Sequence, residues 1–369
     1  MSPDFNKISL YIFAIIFSLF LSGSSSAQEE NESTERVKKI KLEKYDFKKL
    51  SATAVPFSKI NVVPSLWDST SLGFVQVGLG NKKIRAVPGN DYTHYLQSYI
   101  DSQYSDMFSP GGAELLFIVK SLRINERTFS MSENAFVRLN AVAWISKKDS
   151  NLYSFVCNFD TVLLTGGMDV TARHGRNIAK AFDLLLKKCV ENNGVNGTDS
   201  AFRYSRQEIL AAADDRFNIP ALKNEMMNDG VYVSFDDFLN NNPSIKDYNV
   251  KEKKKKATIF AAGSNTELTP WGICRQGEVY KYMKGHLVAI ERNDNSYIIS
   301  DYLDNIKRRN KGILWGAIIG GVAGGAIGGA VGSSIGSSSG TIFYVGSIPY
   351  INKEPEASAI DMETGKFTF

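Results

Sequence analysis

Three stretches between Glu114 and Leu164 alternate apolar and polar residues with the period of two that strands produce. Glu114–Ile124 (ELLFIVKSLRI) is apolar enough for a central position, and Ala135–Ser146 sets Val137, Leu139, Ala141, Ala143 and Ile145 on one side. Leu152–Leu164 places Tyr153, Phe155, Cys157, Phe159 and Leu163 inward and Ser154, Asn158 and Asp160 outward. Ahead of them, Leu72–Leu79 and Lys82–Val87 flank Gly80-Asn81 and predict a hairpin around a tight turn. Helical spacing governs two other segments. Asn90 and Asp91 can cap a helix carrying Tyr92, Tyr95, Leu96, Tyr99, Ile100 and Met107, and Thr171–Asn192 carries Ile178, Phe182, Leu185 and Cys189. A helix, three consecutive strands and a closing helix predict an α+β sandwich over 55–193, an antiparallel sheet with helices on one face.

Residues 194–229 read as a linker: a loop (NNGVNGTDS), a short helix over Ser205–Ala213 and a break at Ile219-Pro220. From 230 to 369 the pattern is mostly β. Gly230–Ile245 predicts a short strand with Tyr232 and Phe235, then an Asn-rich turn ending at Pro243. On a strand, Asp236 and Asp237 would point to opposite faces and share neither proton nor metal, so a turn cap explains them better. Lys251 and Lys253–Lys256 read as a solvated basic loop. Strands follow over Trp271–Met283, Leu287–Arg292 and Tyr297–Tyr302, with turns at Gln276-Gly277 and Asp294-Asn295. Thr341–Asn352 and Ala359–Phe369 resume the strands, the latter with a turn at Glu363–Gly365.

Inside this β-rich region glycine returns every fourth residue: Gly312, Gly316, Gly320, Gly324, Gly328, Gly332, Gly336 and Gly340. A second row, Gly321, Gly325 and Gly329, runs beside it, and no charge occurs from Ile313 to Ser339. Gly costs roughly 1 kcal/mol against Ala in a helix in water, so a regular run of it needs a compensating gain. Close packing of helix backbones in an apolar medium supplies one. A continuous helix over 312–340 would be ~43 Å long, against ~30 Å of bilayer hydrocarbon, so a single span and a close helical hairpin both fit. The hairpin is favoured because it returns Thr341–Phe369 to the side of the strands that precede it. A flexible Gly/Ser linker lacks the interleaved Ile and Val residues.

The amino terminus reads as an address. Lys7 precedes an apolar run over Ile8–Leu21, and Ser25 and Ala27 supply a cleavage site, so 1–27 is expected to be a secretory signal and 28–54 a charged tether of little fixed structure. On an exported chain, Lys307, Arg308, Arg309 and Lys311 lie on the translocated side, opposite to the positive-inside preference. Insertion into an outer membrane from the periplasmic side removes the conflict, and the basic cluster would then meet anionic lipid headgroups.

Lys and Arg total 43 and Asp and Glu 39, a net charge of +4, and no dense basic face argues for nucleic acid. Cys157, Cys189 and Cys274 are odd in number, so an exported chain keeps at least one free thiol unless chains pair. Cys157 and Cys189 both fall on apolar faces and can meet in one core, either bridged or as buried thiols. His94, His174 and His286 each stand apart from other ligands and are expected at or near the surface. No nucleophile elbow or phosphate loop occurs, and neither enzyme activity nor a cofactor is expected.

The order of elements over 55–193 resembles the periplasmic α/β domains of envelope accessory proteins, such as auxiliary subunits of lipid and toxin export systems. The spaced signature of Gly230–Phe238 (GVYVSFDDF), Asn242-Pro243-Ser244, Trp271–Tyr280 (WGICRQGEVY) and Asp361–Phe367 (DMETGKF) resembles a group of uncharacterised exported bacterial proteins. The segment GILWGAIIGGVAGGAIGGAVGSSIG is similar to the glycine zipper of outer-membrane surface antigens and SlyB-like lipoproteins, whose lipid-bearing Cys this chain lacks. These resemblances imply an envelope location and self-association. The expected function is that of a non-catalytic, membrane-associated envelope protein that forms homo-oligomers; the alternative is an accessory or ligand-binding subunit of an export or assembly system.

Overall fold

The computed structural model describes residues 36–45, 57–78, 82–129, 132–196, 202–253, 256–300, 302, 342–346, 348, 351 and 353–369. The chain divides into two compact units, Met1–Arg36, of which only Arg36 is described, and Val37–Phe369, which holds everything that follows.

In chain order the first half contains β1 (Val37–Ile40), β2 (Phe57–Pro64), β3 (Gly73–Val77), β4 (Lys82–Pro88), α1 (Tyr92–Tyr104), β5 (Ala113–Phe129), β6 (Ser132–Ser146), β7 (Leu152–Gly167), α2 (His174–Asn196), β8 (Tyr204–Ser205) and α3 (Arg206–Asp215). The strands form one sheet in the order β1-β4-β3-β5-β6-β7-β8, with β2 also paired to β5. The predicted β3–β4 hairpin is present, as are the three long antiparallel strands. Asp91 caps α1 by accepting from the His94 N–H at 2.9 Å.

The sheet is mixed rather than antiparallel, because β1 runs parallel to β4 and β2 parallel to β5. Alternation dictates which face a residue takes and is silent on which strand lies beside it. The β3–β4 hairpin and α1 form the crossover that parallel β2–β5 pairing requires. β2 and β3 share one edge of β5, and Gly73 (φ +125°) makes this possible, since a Cβ there would lie 2.1 Å from the Ile124 carbonyl oxygen. The helices also divide between faces. α1 and α2 cover one face over Leu115, Phe117, Val137, Leu139 and Ala141, whereas Ile209 of α3 packs on Leu116, Ile118 and Tyr153 of the other.

Two further expectations fail locally. The tether is ordered in part: β1 adds to the sheet edge, Ile40 is buried, and Gln103 exchanges hydrogen bonds with the Tyr45 backbone at 2.8 and 2.6 Å. On β7 a register shift opposite Ala143 and Trp144 flips the alternation. Cys157 and Phe159 stay inward, while Phe155 is 46% exposed and meets Trp144 edge-on with ring centroids 5.7 Å apart.

The second half contains α4 (Pro220–Lys223), β9 (Gly230–Tyr232), α5 (Phe235–Leu239), β10 (Tyr248–Lys253), β11 (Lys256–Ala261), β12 (Glu267–Leu268), β13 (Gly272–Arg275), β14 (Glu278–Met283), β15 (His286–Asn293), β16 (Ser296–Ile299), β17 (Ala359–Ile360) and β18 (Phe367–Thr368). A second sheet, antiparallel throughout, runs β18-β17-β16-β15-β14-β13-β9. Tight turns set it, with Gln276-Gly277 and Lys284-Gly285 both at positive φ. Val231, Ile273 and Tyr282 on one face pack on Ile259 of the small β10–β11–β12 sheet. The other face carries Trp271, Val279, Ile290, Tyr297 and Phe367 in a core that takes in Phe136 of β6.

Phe235 opens a helix rather than extending a strand. Ser234 caps it in a reciprocal box with Asp237, which is the capping role expected of the acidic pair. Lys251, Lys253 and Lys256 lie on β10 and β11, exposed as expected but with their backbone paired, and Lys254 and Lys255 lie outside the described residues. Of Thr341–Asn352, the described part makes an isolated bridge, Tyr344 to Glu356. The zipper glycines Gly312–Gly340 and the basic residues Lys307, Arg308, Arg309 and Lys311 lie outside the described residues. Among the described residues no helix is long and apolar enough to cross a membrane.

Candidate functional site

The face of the first sheet opposite α1 and α2 is built from alternate polar residues: Lys83 on β4, Arg123, Asn125 and Arg127 on β5, and Arg138 on β6. The last residues of the chain cover this face, and the charges meet partners there.

At the centre, the Lys83 side chain is fully buried, with Nζ 2.5 Å from Glu356 Oε2, 3.0 Å from the Tyr302 hydroxyl and 3.4 Å from Asn125 Oδ1. Asn125 Nδ2 donates to the Glu356 carbonyl at 3.1 Å, and the Tyr302 hydroxyl donates to Glu356 Oε2 at 3.4 Å. Burial alone would lower the lysine pKa, but Tyr302 and Glu356 outweigh it and hold the ammonium above its ordinary value. Burial in turn pushes the Tyr302 phenol up.

Around this node the Asp361–Phe367 motif acts as a clasp. Arg138 bonds Asp361 at 2.7 Å and Thr368 at 3.2 Å while it also holds Asp160. Glu363 takes Trp67 Nε1 at 3.2 Å, Arg216 at 3.2 Å and Lys120 at 3.6 Å. Arg123 donates to the Phe369 carbonyl at 3.0 Å and pairs with Asp68. Burial pushes the Asp68 carboxyl up, yet Arg123 and the Thr70 hydrogen bonds prevail and leave its pKa below the usual range. Arg127 donates to the Glu354 carbonyl at 2.6 Å and lies 4.2 Å over the Tyr344 ring. Inside the clasp, Gly365 (φ +67°) gives its carbonyl to Trp271 Nε1 at 2.9 Å. The seam leaves a small, partly open cavity of about 30 Å³ beside Asp68, Arg123, Arg138 and Asp361, room for a water.

The seam thereby holds both ends of the glycine-rich insertion. Tyr302 stands before it and Tyr344 just after it, and both rest on Glu356, one through its hydroxyl and the other through the backbone bridge. Tyr302 also packs on Phe74 with ring centroids 4.8 Å apart, and Phe343 stacks on Phe367 at 5.4 Å. Beyond Glu356 the chain re-enters the sheet it left, as β17 pairs with β16.

Sequence reasoning missed Lys83, Arg123, Arg138 and Glu356, because charges on one side of a strand read as solvated. The available signal was the density of long side chains on one face of β5, an unusual run to leave bare. One histidine departs from its expected place at or near the surface. His94 is exposed and His286 half-buried, but His174 is fully buried at the start of α2, Nε2 2.8 Å from Glu126 Oε1. Glu126 Oε2 accepts in turn from the Gln76 N–H at 2.6 Å, so the pair ties α2 to β3 and β5. Among the described residues no group of three or more His, Cys, Asp or Glu is placed to hold a metal ion.

No family model matches the chain, and no curated protein matches it. Among solved structures it is similar to a Xanthomonas campestris protein of the DUF330 family, at 12% identity and a TM-score of 0.28, over 42% of this chain and 92% of that one. A likeness this slight supports neither a fold nor a function.

Proposed function

We propose that the protein is a non-catalytic component of the cell envelope that presents residues 312–340 to a membrane as a hairpin and associates with copies of itself through the glycine rows. The observation that carries this reading is the convergence of Tyr302 and Tyr344 on Glu356, together with the β16–β17 pairing. A segment that crossed a bilayer once would leave β17 and β18 on the far side from β16, whereas a hairpin leaves the sheet whole. Glycine every fourth residue gives the arms of such a hairpin, and those of its neighbours, a close approach in lipid. Lys307, Arg308, Arg309 and Lys311 sit beside the entry point, where each charge near an anionic surface is worth about 1 kcal/mol.

Replacement of Gly320, Gly324 and Gly328 by Leu is expected to reduce the oligomer purified in detergent to a monomer; an unchanged particle size refutes self-association through the zipper. Membrane attachment is checked by a carbonate wash, which should leave the protein with the membranes. Asn310→Cys and Lys353→Cys should label from the same side, and labelling from opposite sides would exclude the hairpin.

A further inference from the structure

We propose that Cys157 and Cys189 are a redox pair that closes to a disulfide pinning α2 to β7. Their sulfurs lie 3.9 Å apart, and the two residues are 4% and 1% exposed. They sit on separate elements, the strand at the sheet margin and the last turns of the helix that covers it. Both are thiols in the structure. Bond formation requires the sulfurs to close to about 2.05 Å, an approach that rotation about the two side chains and a small shift of the helix end can supply.

Either sulfur can donate to the other, and the Lys188 charge favours the thiolate of both. The helix end is held to the strand by two polar contacts, Lys188 Nζ to the Asn158 carbonyl at 2.9 Å and Asn192 Nδ2 to the Val156 carbonyl at 3.3 Å, and an oxidant reaches the pair where these part. With glutathione disulfide as oxidant, the thiolate of one cysteine of the pair attacks one of its sulfurs, the S–S bond breaks, and one glutathione thiolate leaves. The other cysteine then gives up its proton and attacks the sulfur of the mixed disulfide that belongs to the protein, expelling the second glutathione thiolate. The protein loses two electrons and two protons, and the oxidant gains both as two thiols.

Cys274 is the internal control. It is fully buried, donates to Asp229 Oδ1 at 3.4 Å, and its thiol is pushed up to about 12 by burial and that carboxylate. It has no second cysteine beside it among the described residues.

The test uses the purified full chain, reduced and then incubated with glutathione disulfide, unfolded in an alkylating reagent and weighed. One alkylated thiol per chain and a peptide joining residues 157 and 189 are expected; three alkylated thiols after oxidation overturn the proposal. Cys157→Ser and Cys189→Ser should each show two thiols. The oxidised chain should melt roughly 5–10 °C above the reduced one, because the bridge closes a loop of about thirty residues. Inside the cell the oxidant depends on the export reading above. Protein trapped by acid during lysis should already carry the bridge, and a pair that oxidises in the tube but is reduced in the cell would count against export and not against the pair.

Discussion

At the seam between the sheets, Lys83 is buried against Glu356, Tyr302 and Asn125; in the core of the second sheet, Lys281 is 8% exposed and lies 4.4 Å over the Trp271 ring, donating to the Trp271 carbonyl at 3.2 Å. Among the described residues no carboxylate pairs with Lys281. The two environments drive the lysines in opposite directions, Lys83 upward and Lys281 down to about 8, the latter through burial alone. A buried charge with a matched partner locates one surface on another, whereas a buried charge without one is a standing cost to the fold. The seam is thus the place where position is specified by charge, and the second core is held together by shape.

The largest effect is expected from breaking the seam. Glu356→Ala leaves a fully buried ammonium without its carboxylate and should cost about 3–5 kcal/mol in urea unfolding. Adding Lys83→Met and restoring bulk with Glu356→Leu should recover most of the loss. If the single variant unfolds at the wild-type midpoint, the pair does not support the seam.

A smaller loss tests shape. Gly365→Ala should cost about 2–3 kcal/mol, since φ is +67° and the new Cβ would lie 2.4 Å from the Phe235 ring. Gly277→Ala is the control, with φ +79° and open space around the Cβ, and should cost about 1 kcal/mol. Equal losses at the two sites would mean that the clasp contributes no packing.

Lys281→Met should stabilise the protein by about 1–2 kcal/mol at pH 7. The folded pKa of about 8 lies below the unfolded value, so the wild-type lysine costs stability below pH 8 and the cost is relieved as pH rises toward about 10.4. The advantage of the variant should therefore shrink across that interval in urea titrations. An advantage that stays constant with pH would assign the gain to packing instead.

The first half was legible where a residue's fate depends on near neighbours. Val137, Leu139 and Ala141 declare one face of β6, and Asp91 declares the start of α1. Pairing partners were not legible, because Val37–Ile40 and Phe57–Pro64 join strands distant in the chain and carry no local sign of doing so. Phe155 misled because a single extra residue in β7 reverses the alternation. The seam was hidden for a related reason. Arg123, Asn125 and Arg127 look like a solvent face until the last residues of the chain cover them. Phe235 carried a readable signal, Ser234 followed three positions later by Asp237, that its aromatic neighbourhood masked.

The arrangement at Glu356 has a mechanical meaning. A pull on either end of the glycine-rich stretch is met around one residue, on one side where the Tyr302 phenol bonds the Glu356 carboxylate and on the other where the backbone bonds from Val345 to Pro355 and from Ala357 to Phe343 flank it.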